Sequence, residues 1–217
     1  MRLPRLLARS LATAAIAGTA LALLAPSASA TTAQHHKLGT KSLAALLTSD
    51  RNTFDHNSKD YDIVTEAVLA VLVAKPKSPV SVLADGTVPV TAFIPNDQAF
   101  RLLVQDLTGK YLKSEKKVFT AVAGLGIDTV ETVLLYHVVP GATISKRAAL
   151  RSDGAELTTA QGGVVKVDVT CSHHRQAVRL IDKDPNDRNP RVVAFNLNLG
   201  NRQIAHGIDR VLRPLDL

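Results

Sequence analysis

Thr132-Val133-Leu134-Leu135-Tyr136-His137-Val138-Val139-Pro140-Gly141 is the stretch on which the fold turns. Four aliphatic residues (Leu134, Leu135, Val138 and Val139) flank the Tyr136–His137 pair, and Pro140–Gly141 then breaks the chain. Such a segment belongs in a core, where its two polar tips need hydrogen-bond partners. Just upstream, Asp128-Thr129-Val130-Glu131 reads as a capping box: the Asp128 carboxylate accepts from the Glu131 amide while Glu131 reaches back. That box starts a helix feeding into Tyr136–His137. Residues 91–100 and 204–214 read as neighbours of this stretch in space.

At the N-terminus, Arg2, Arg5 and Arg9 precede an Ala/Leu-rich run over 10–25, then Pro26 and the small-x-small site Ala28-Ser29-Ala30. This is the pattern of a secretory leader in bacterial style rather than a membrane anchor, because Pro26 and the cleavage site follow the apolar run. Residues 1–30 are therefore assigned to a signal peptide, 31–41 to a flexible polar segment and 42–217 to one domain. No second apolar run reaches spanning length, so a soluble protein outside the cytoplasm, with no stable membrane span, is expected.

The formal charge is +7, and three of the arginines lie in the leader, which leaves a modest positive excess. Such an excess suits anionic surfaces such as cell-wall polymers. It does not point to nucleic acid, since aromatic residues make up only 4% of the chain and no dense basic run is present. Cys171 is the single cysteine, so no intrachain disulfide can form and the core must supply the stability. It ends a run of alternating valines and reads as a buried free thiol.

The periodicity changes along the chain. Ser42 starts a short helix with Leu43, Leu46 and Leu47 on one face. Ile63, Val64, Ala67, Val68, Val71 and Leu72 recur at helical spacing, with Asp60 or Asp62 as cap and Pro76 as stop. Residues 80–94 alternate as strands around an Asp85–Gly86 turn, up to Pro95. Asn96 or Asp97 then caps a helix carrying Phe100 and Leu103, and another helix runs from about Ser114 to Ala123. Beyond Gly141 the chain reads mainly as strands: 155–159, 164–171, 177–182, 191–197 and 203–212, with a short helical turn from Ser145 to Leu150. Helices first and strands later indicate an α+β fold with a mostly antiparallel sheet.

Three stretches carry a family resemblance. Thr91-Ala92-Phe93-Ile94-Pro95-Asn96-Asp97-Gln98-Ala99-Phe100 is similar to the first signature of the fasciclin domain. Leu135-Tyr136-His137-Val138-Val139-Pro140-Gly141 matches that family's tyrosine–histidine segment, and Ile204-Ala205-His206-Gly207-Ile208-Asp209-Arg210-Val211-Leu212 resembles its closing signature. The resemblance implies a wedge-like β-sandwich with flanking helices in its N-terminal half. It also implies a secreted, non-enzymatic, cofactor-free module that binds a cell-surface or envelope/matrix protein or polysaccharide, as a monomer. In animal members the tyrosine–histidine segment is linked to integrin binding, which makes Tyr136, His137, Val138 and Val139 candidate binding residues. Thr91, Phe93, Pro95, Asp97, Phe100, His206 and Asp209 are then structural signature positions. Residues 192–199 read Val-Val-Ala-Phe-Asn-Leu-Asn-Leu and lack the acidic integrin-type motif, and Arg202–Gln203 stand where an Asn-Gly turn is usual.

His137 or His206 could serve a secreted hydrolase as base, oriented by Asp97 or Asp209, but no Gly-x-Ser-x-Gly elbow, His-Glu-x-x-His helix or phosphate loop accompanies them. Buried imidazoles bonded to backbone or carboxylate groups are the reading adopted here. Gly124-Leu125-Gly126 lacks the third glycine of a dinucleotide loop and follows a helix. Asp182, Asp184 and Asn186 resemble the start of a calcium loop, without its glycine or its final glutamate. His35–His36, and His173–His174 near Cys171, fall short of a metal set. The loops around 124–128 and 182–190 are candidate binding loops, and carriage of a small apolar ligand is a further alternative.

Overall fold

The computed structural model describes residues 37–50 and 53–214. The leader assignment, and with it His35–His36, lies outside them. Helices α1 (Leu43–Leu47), α2 (Asp62–Ala74), α3 (Asp97–Thr108), α4 (Glu115–Ala123) and α5 (Ile127–Tyr136) occupy the first half, interrupted by strand β1 (Val90–Pro95). Strand β2 (Val138–Pro140) and the helical turn α6 (Lys146–Ala149) follow, then β3 (Glu156–Thr158), β4 (Val164–Ser172), β5 (Arg175–Ile181), β6 (Val192–Leu197) and β7 (Gln203–Ile208). One sheet has the order β2-β1-β7-β6 and the other β3-β4-β5. The fold is α+β, as the order of periodicities requires.

Every residue of β1 and of β7 is buried. A strand buried on both faces must be covered on both, and two separate cores do this. On one side Val90, Ala92 and Ile94 meet the helices through Ile63, Val64, Ala67, Val68 and Val71 of α2. On the other, Phe93 and Ile208 meet Val165, Val167, Val178 and Leu180 of the three-stranded sheet. Each fully buried aliphatic side chain contributes about 1.5–3 kcal/mol, so the two layers bind the central sheet from opposite sides. β1 and β7 run parallel, whereas β1–β2, β3–β4, β4–β5 and β6–β7 are antiparallel. The mostly antiparallel expectation therefore holds, with one parallel pair at the centre of the larger sheet. β1 comes early and β7 last, which leaves ample chain for the crossover that a parallel pair needs.

Local chemistry explains where the sequence-based elements shift. Residues 79–84 form a 3-10 helix, not a strand: Ser78 Oγ accepts the Val80 N–H, Pro79 sits at the first position, and Val80 and Leu83 both turn inward. The Asp128–Glu131 capping box does not form. Gly126 (φ 90°) precedes α5 with no side-chain cap, and Asp128 and Glu131 both reach Lys75 just past α2. Neither Asp60 nor Asp62 caps α2, whose N-cap is Tyr61 without a side-chain bond. The Ile63 N–H instead donates to Asp97 Oδ1 at 3.1 Å, a cap lent by the neighbouring helix. Asn96, not Asp97, caps α3 through Ala99. The closing strand ends at Ile208 rather than 212.

Cys171 is exposed, contrary to expectation. It lies on the same face of β4 as Val165 and Val167, but β4 outruns the core there and pairs Cys171 with exposed Gln176 near the hairpin tip. His173 and His174 form that tip with φ of 49° and 61°. Among the described residues no single helix is long and apolar enough to cross a membrane.

Candidate functional site

Tyr136 and His137 end α5 at the seam between helices and sheets, and both are buried (0% and 4% exposed). Tyr136 Oη donates to the Val164 carbonyl at 2.8 Å, and burial, with Asp182 nearby, pushes its pKa up to about 12. The Tyr136 ring lies so close to Gly163 that a Cβ there would meet it at 2.8 Å. That contact explains the second glycine of the Gly162–Gly163 turn.

His137 Nδ1 lies 2.7 Å from the Val133 carbonyl, and Nε2 accepts the Leu212 N–H at 2.9 Å. The ring is therefore neutral, with its proton on Nδ1. His206 is the complementary case: Nε2 donates to the Ile144 carbonyl at 2.8 Å and Nδ1 accepts the Asn196 N–H at 3.2 Å. Desolvation lowers both pKa values, that of His137 to about 4. All four ring nitrogens are bonded to main-chain groups, so neither imidazole has a lone pair or proton left for a substrate.

The other signature positions serve the same seam. Thr91 Oγ1 donates to the Ala142 carbonyl and accepts the Ile144 N–H, each at 2.8 Å. Phe93 stacks against His206 with centroids 6.0 Å apart, Pro95 closes β1, and Phe100 of α3 is buried in the helix-side core. Asp209 Oδ1 accepts the Arg191 N–H at 2.7 Å. Val138 and Val139 are 2% and 5% exposed. The segment 136–139, predicted to touch a partner, thus turns inward in this fold and offers a partner almost no surface.

The 182–190 loop closes on the side chains of Arg210 and Arg213. Arg213 pairs with Asp106 at 2.7 Å and with Asp184 at 3.2 Å, and Arg210 pairs with Asp187 at 3.2 Å. The Arg213 N–H donates to Asp182 Oδ2 at 2.8 Å. Of the calcium-loop positions, Asp184 is thus taken up by the Arg213 guanidinium and Asp182 by the Arg213 main-chain N–H. A second acidic group lies where α2 and α3 begin: ligand oxygens of Asp60, Asp62 and Asp97 lie within 4.8 Å of one another. Burial beside Asp60 pushes Asp97 up to about 8, so at neutral pH this group holds a proton.

Sequence reasoning missed Gln203. It is fully buried; its Oε1 accepts the Leu43 N–H at 2.8 Å and its Nε2 donates to the carbonyls of Val82 and Asp85. Gln203 thereby joins α1, the 3-10 helix and β7 where a turn residue is usual, and a polar residue among the buried positions of the last strand was the available signal.

A family model described as the fasciclin domain matches residues 65–214, more than half of the chain. The chain belongs to the fasciclin domain family. Fasciclin domains are generally non-enzymatic, adhesion-type modules, typically extracellular or at the cell surface. Among solved structures this fasciclin domain is similar to a FAS1 domain pair from the insect cell adhesion molecule Fasciclin I. The identity is 14%, over 68% of this chain and 44% of that one, with a TM-score of 0.45. The chain thus spans less than half of that structure. A search for similar curated proteins returns no match.

Proposed function

We propose that this fasciclin domain is exported and acts as a non-enzymatic binding module that contacts a component of the cell surface, envelope or matrix. The observation that carries the reading is the engagement of all four nitrogens of His137 and His206 by the main chain. A seam built this way holds a scaffold together and has no free base to offer a hydrolase. The leader-like residues 1–30 support export. Carriage of a lipid is disfavoured by size: the apolar cavities beside His137 have volumes of about 20 Å³ each, room for little more than one water. Small-molecule sites are more than ten times larger.

Co-sedimentation of fluorescently labelled protein with envelope fractions of the producing cells tests this. Saturable sedimentation is expected, with no turnover on a panel of ester, amide and glycoside substrates. No sedimentation, or turnover abolished by His137→Ala in a variant that still melts cooperatively, would overturn it.

A further inference from the structure

An open cleft of about 520 Å³ lies where the two sheets meet, lined by Lys146, Arg147, Leu150, Arg151, Gln176 and Asn196. Its wall is the helical turn α6 and its extension. Positions 147 and 151 are four apart, so this turn presents Arg147 and Arg151 on one side, with Lys146 next to Arg147 in the chain. Its far side comes from β5 (Gln176) and β6 (Asn196). No carboxylate lines the cleft, and among the described residues none of the three cations takes part in an ion pair. Three arginines elsewhere, Arg101, Arg210 and Arg213, each have a carboxylate within 3.2 Å. Three adjacent unneutralised cations repel one another, and a bound anion would relieve that repulsion.

The floor of the cleft is fixed. Asn196 sits at φ 62°, a conformation that non-glycine residues adopt rarely and that concentrates at functional sites. It interrupts the β6–β7 register between Ala194 and Leu197, and such bulges re-aim side chains. Two contacts hold it and a third braces its neighbours. Its N–H donates to His206, its Oδ1 accepts the Lys146 N–H at 2.7 Å, and Lys146 Nζ lies 5.2 Å over the ring of adjacent Phe195. That ring packs edge-on against His206 at 5.4 Å. The buried histidine strut thus supports the bulge, and the bulge positions the helical turn that carries the cations.

From this convergence we infer that the cleft binds an anionic polysaccharide, with Arg147, Arg151 and Lys146 taking its carboxylate or phosphate oxygens and the amides of Gln176 and Asn196 facing its hydroxyls. Arginine forks pair with both oxyanions in bidentate fashion. The Gln176 amide offers both a donor and an acceptor, and Asn196, whose Oδ1 is held by Lys146, adds the donor Nδ2, which suits sugar hydroxyls. No aromatic ring lines the cleft for base stacking, which argues against single-stranded nucleic acid. This inference rests on the binding-module reading and names its ligand.

The test is isothermal titration of the protein with polygalacturonate, a glycerol-phosphate wall polymer, neutral dextran and a single-stranded oligonucleotide. The double variant R147E/R151E is compared with K110E/K113E, which makes the same charge change on the exposed α3–α4 link. Binding to at least one of the anionic polymers, weakened at least tenfold in R147E/R151E and less than threefold in K110E/K113E, is expected. The first two polymers tell carboxylate from phosphate recognition. No binding to either anionic polymer, equal weakening in both variants, or tighter binding of the oligonucleotide would overturn the assignment. Should R147E/R151E still sediment with envelope fractions as wild type does, the cleft assignment falls while the module reading stands. Loss of sedimentation by wild type itself removes the module reading.

Discussion

His137 Nε2 accepts the amide N–H of Leu212 at 2.9 Å, joining the end of α5 to the segment after the last strand across 75 residues of sequence. The ring's other nitrogen is held by the Val133 carbonyl one turn back in α5. His137→Ala removes both bonds, orphans a buried N–H and opens a void. Together these should cost about 3–5 kcal/mol, to be read as a fall in the urea midpoint with an unchanged slope.

The same ring sets a pH dependence. Its pKa is about 4 in the folded chain, against an ordinary value of 6.5. The unfolded chain therefore takes up the proton first, and the stability that His137 contributes above pH 6.5 is lost as pH falls toward 4. Urea midpoints between pH 7 and pH 4 should decline less steeply in His137→Gln than in wild type.

Asp97 works in the opposite direction. Its folded pKa is raised from 3.8 to about 8, first by burial and then by proximity to Asp60. Its contribution is complete below pH 4 and is lost as pH rises toward 8. Asp97→Asn keeps the acceptor for the Ile63 N–H and cannot ionise. Its stability relative to wild type should rise across this window, by more than about 1 kcal/mol at pH 8, measured by denaturant titration at pH 5 and pH 8.

Gly86 is required for close approach rather than for backbone freedom. A Cβ there would lie 1.8 Å from the Thr40 carbonyl oxygen and 2.9 Å from the Ser42 nitrogen, both backbone atoms. Gly86→Ala should therefore push the α1 entry off the 3-10 helix and cost about 2 kcal/mol or more, seen as a lower melting temperature. Gly109→Ala, with nothing within 4 Å of its Cβ but φ at 70°, should cost only about 1 kcal/mol.

How far the sequence could be read depended on the range of the interactions. Where one residue's neighbours decide its state, the reading succeeds: Ser42, Asn96 and Ser145 cap the helices they precede. It fails where a distant partner competes. Asp128 and Glu131 go to Lys75 rather than to each other, and Asp97 caps α2 instead of its own helix. The parallel β1–β7 pair joins residues more than a hundred positions apart, which no local periodicity reveals. For the candidate site the histidines stood out because polar residues in an aliphatic run need partners. The cleft of Lys146, Arg147 and Arg151 did not, because its far wall comes from two other strands.

The most direct test of the scaffold account is the tautomer and titration of the two imidazoles, read by long-range nitrogen–proton NMR from pH 8 to pH 5. The account predicts that His137 carries its proton on Nδ1, that His206 carries it on Nε2, and that neither titrates near 6.5. Either ring titrating at an ordinary pKa, or showing the opposite tautomer, would contradict it.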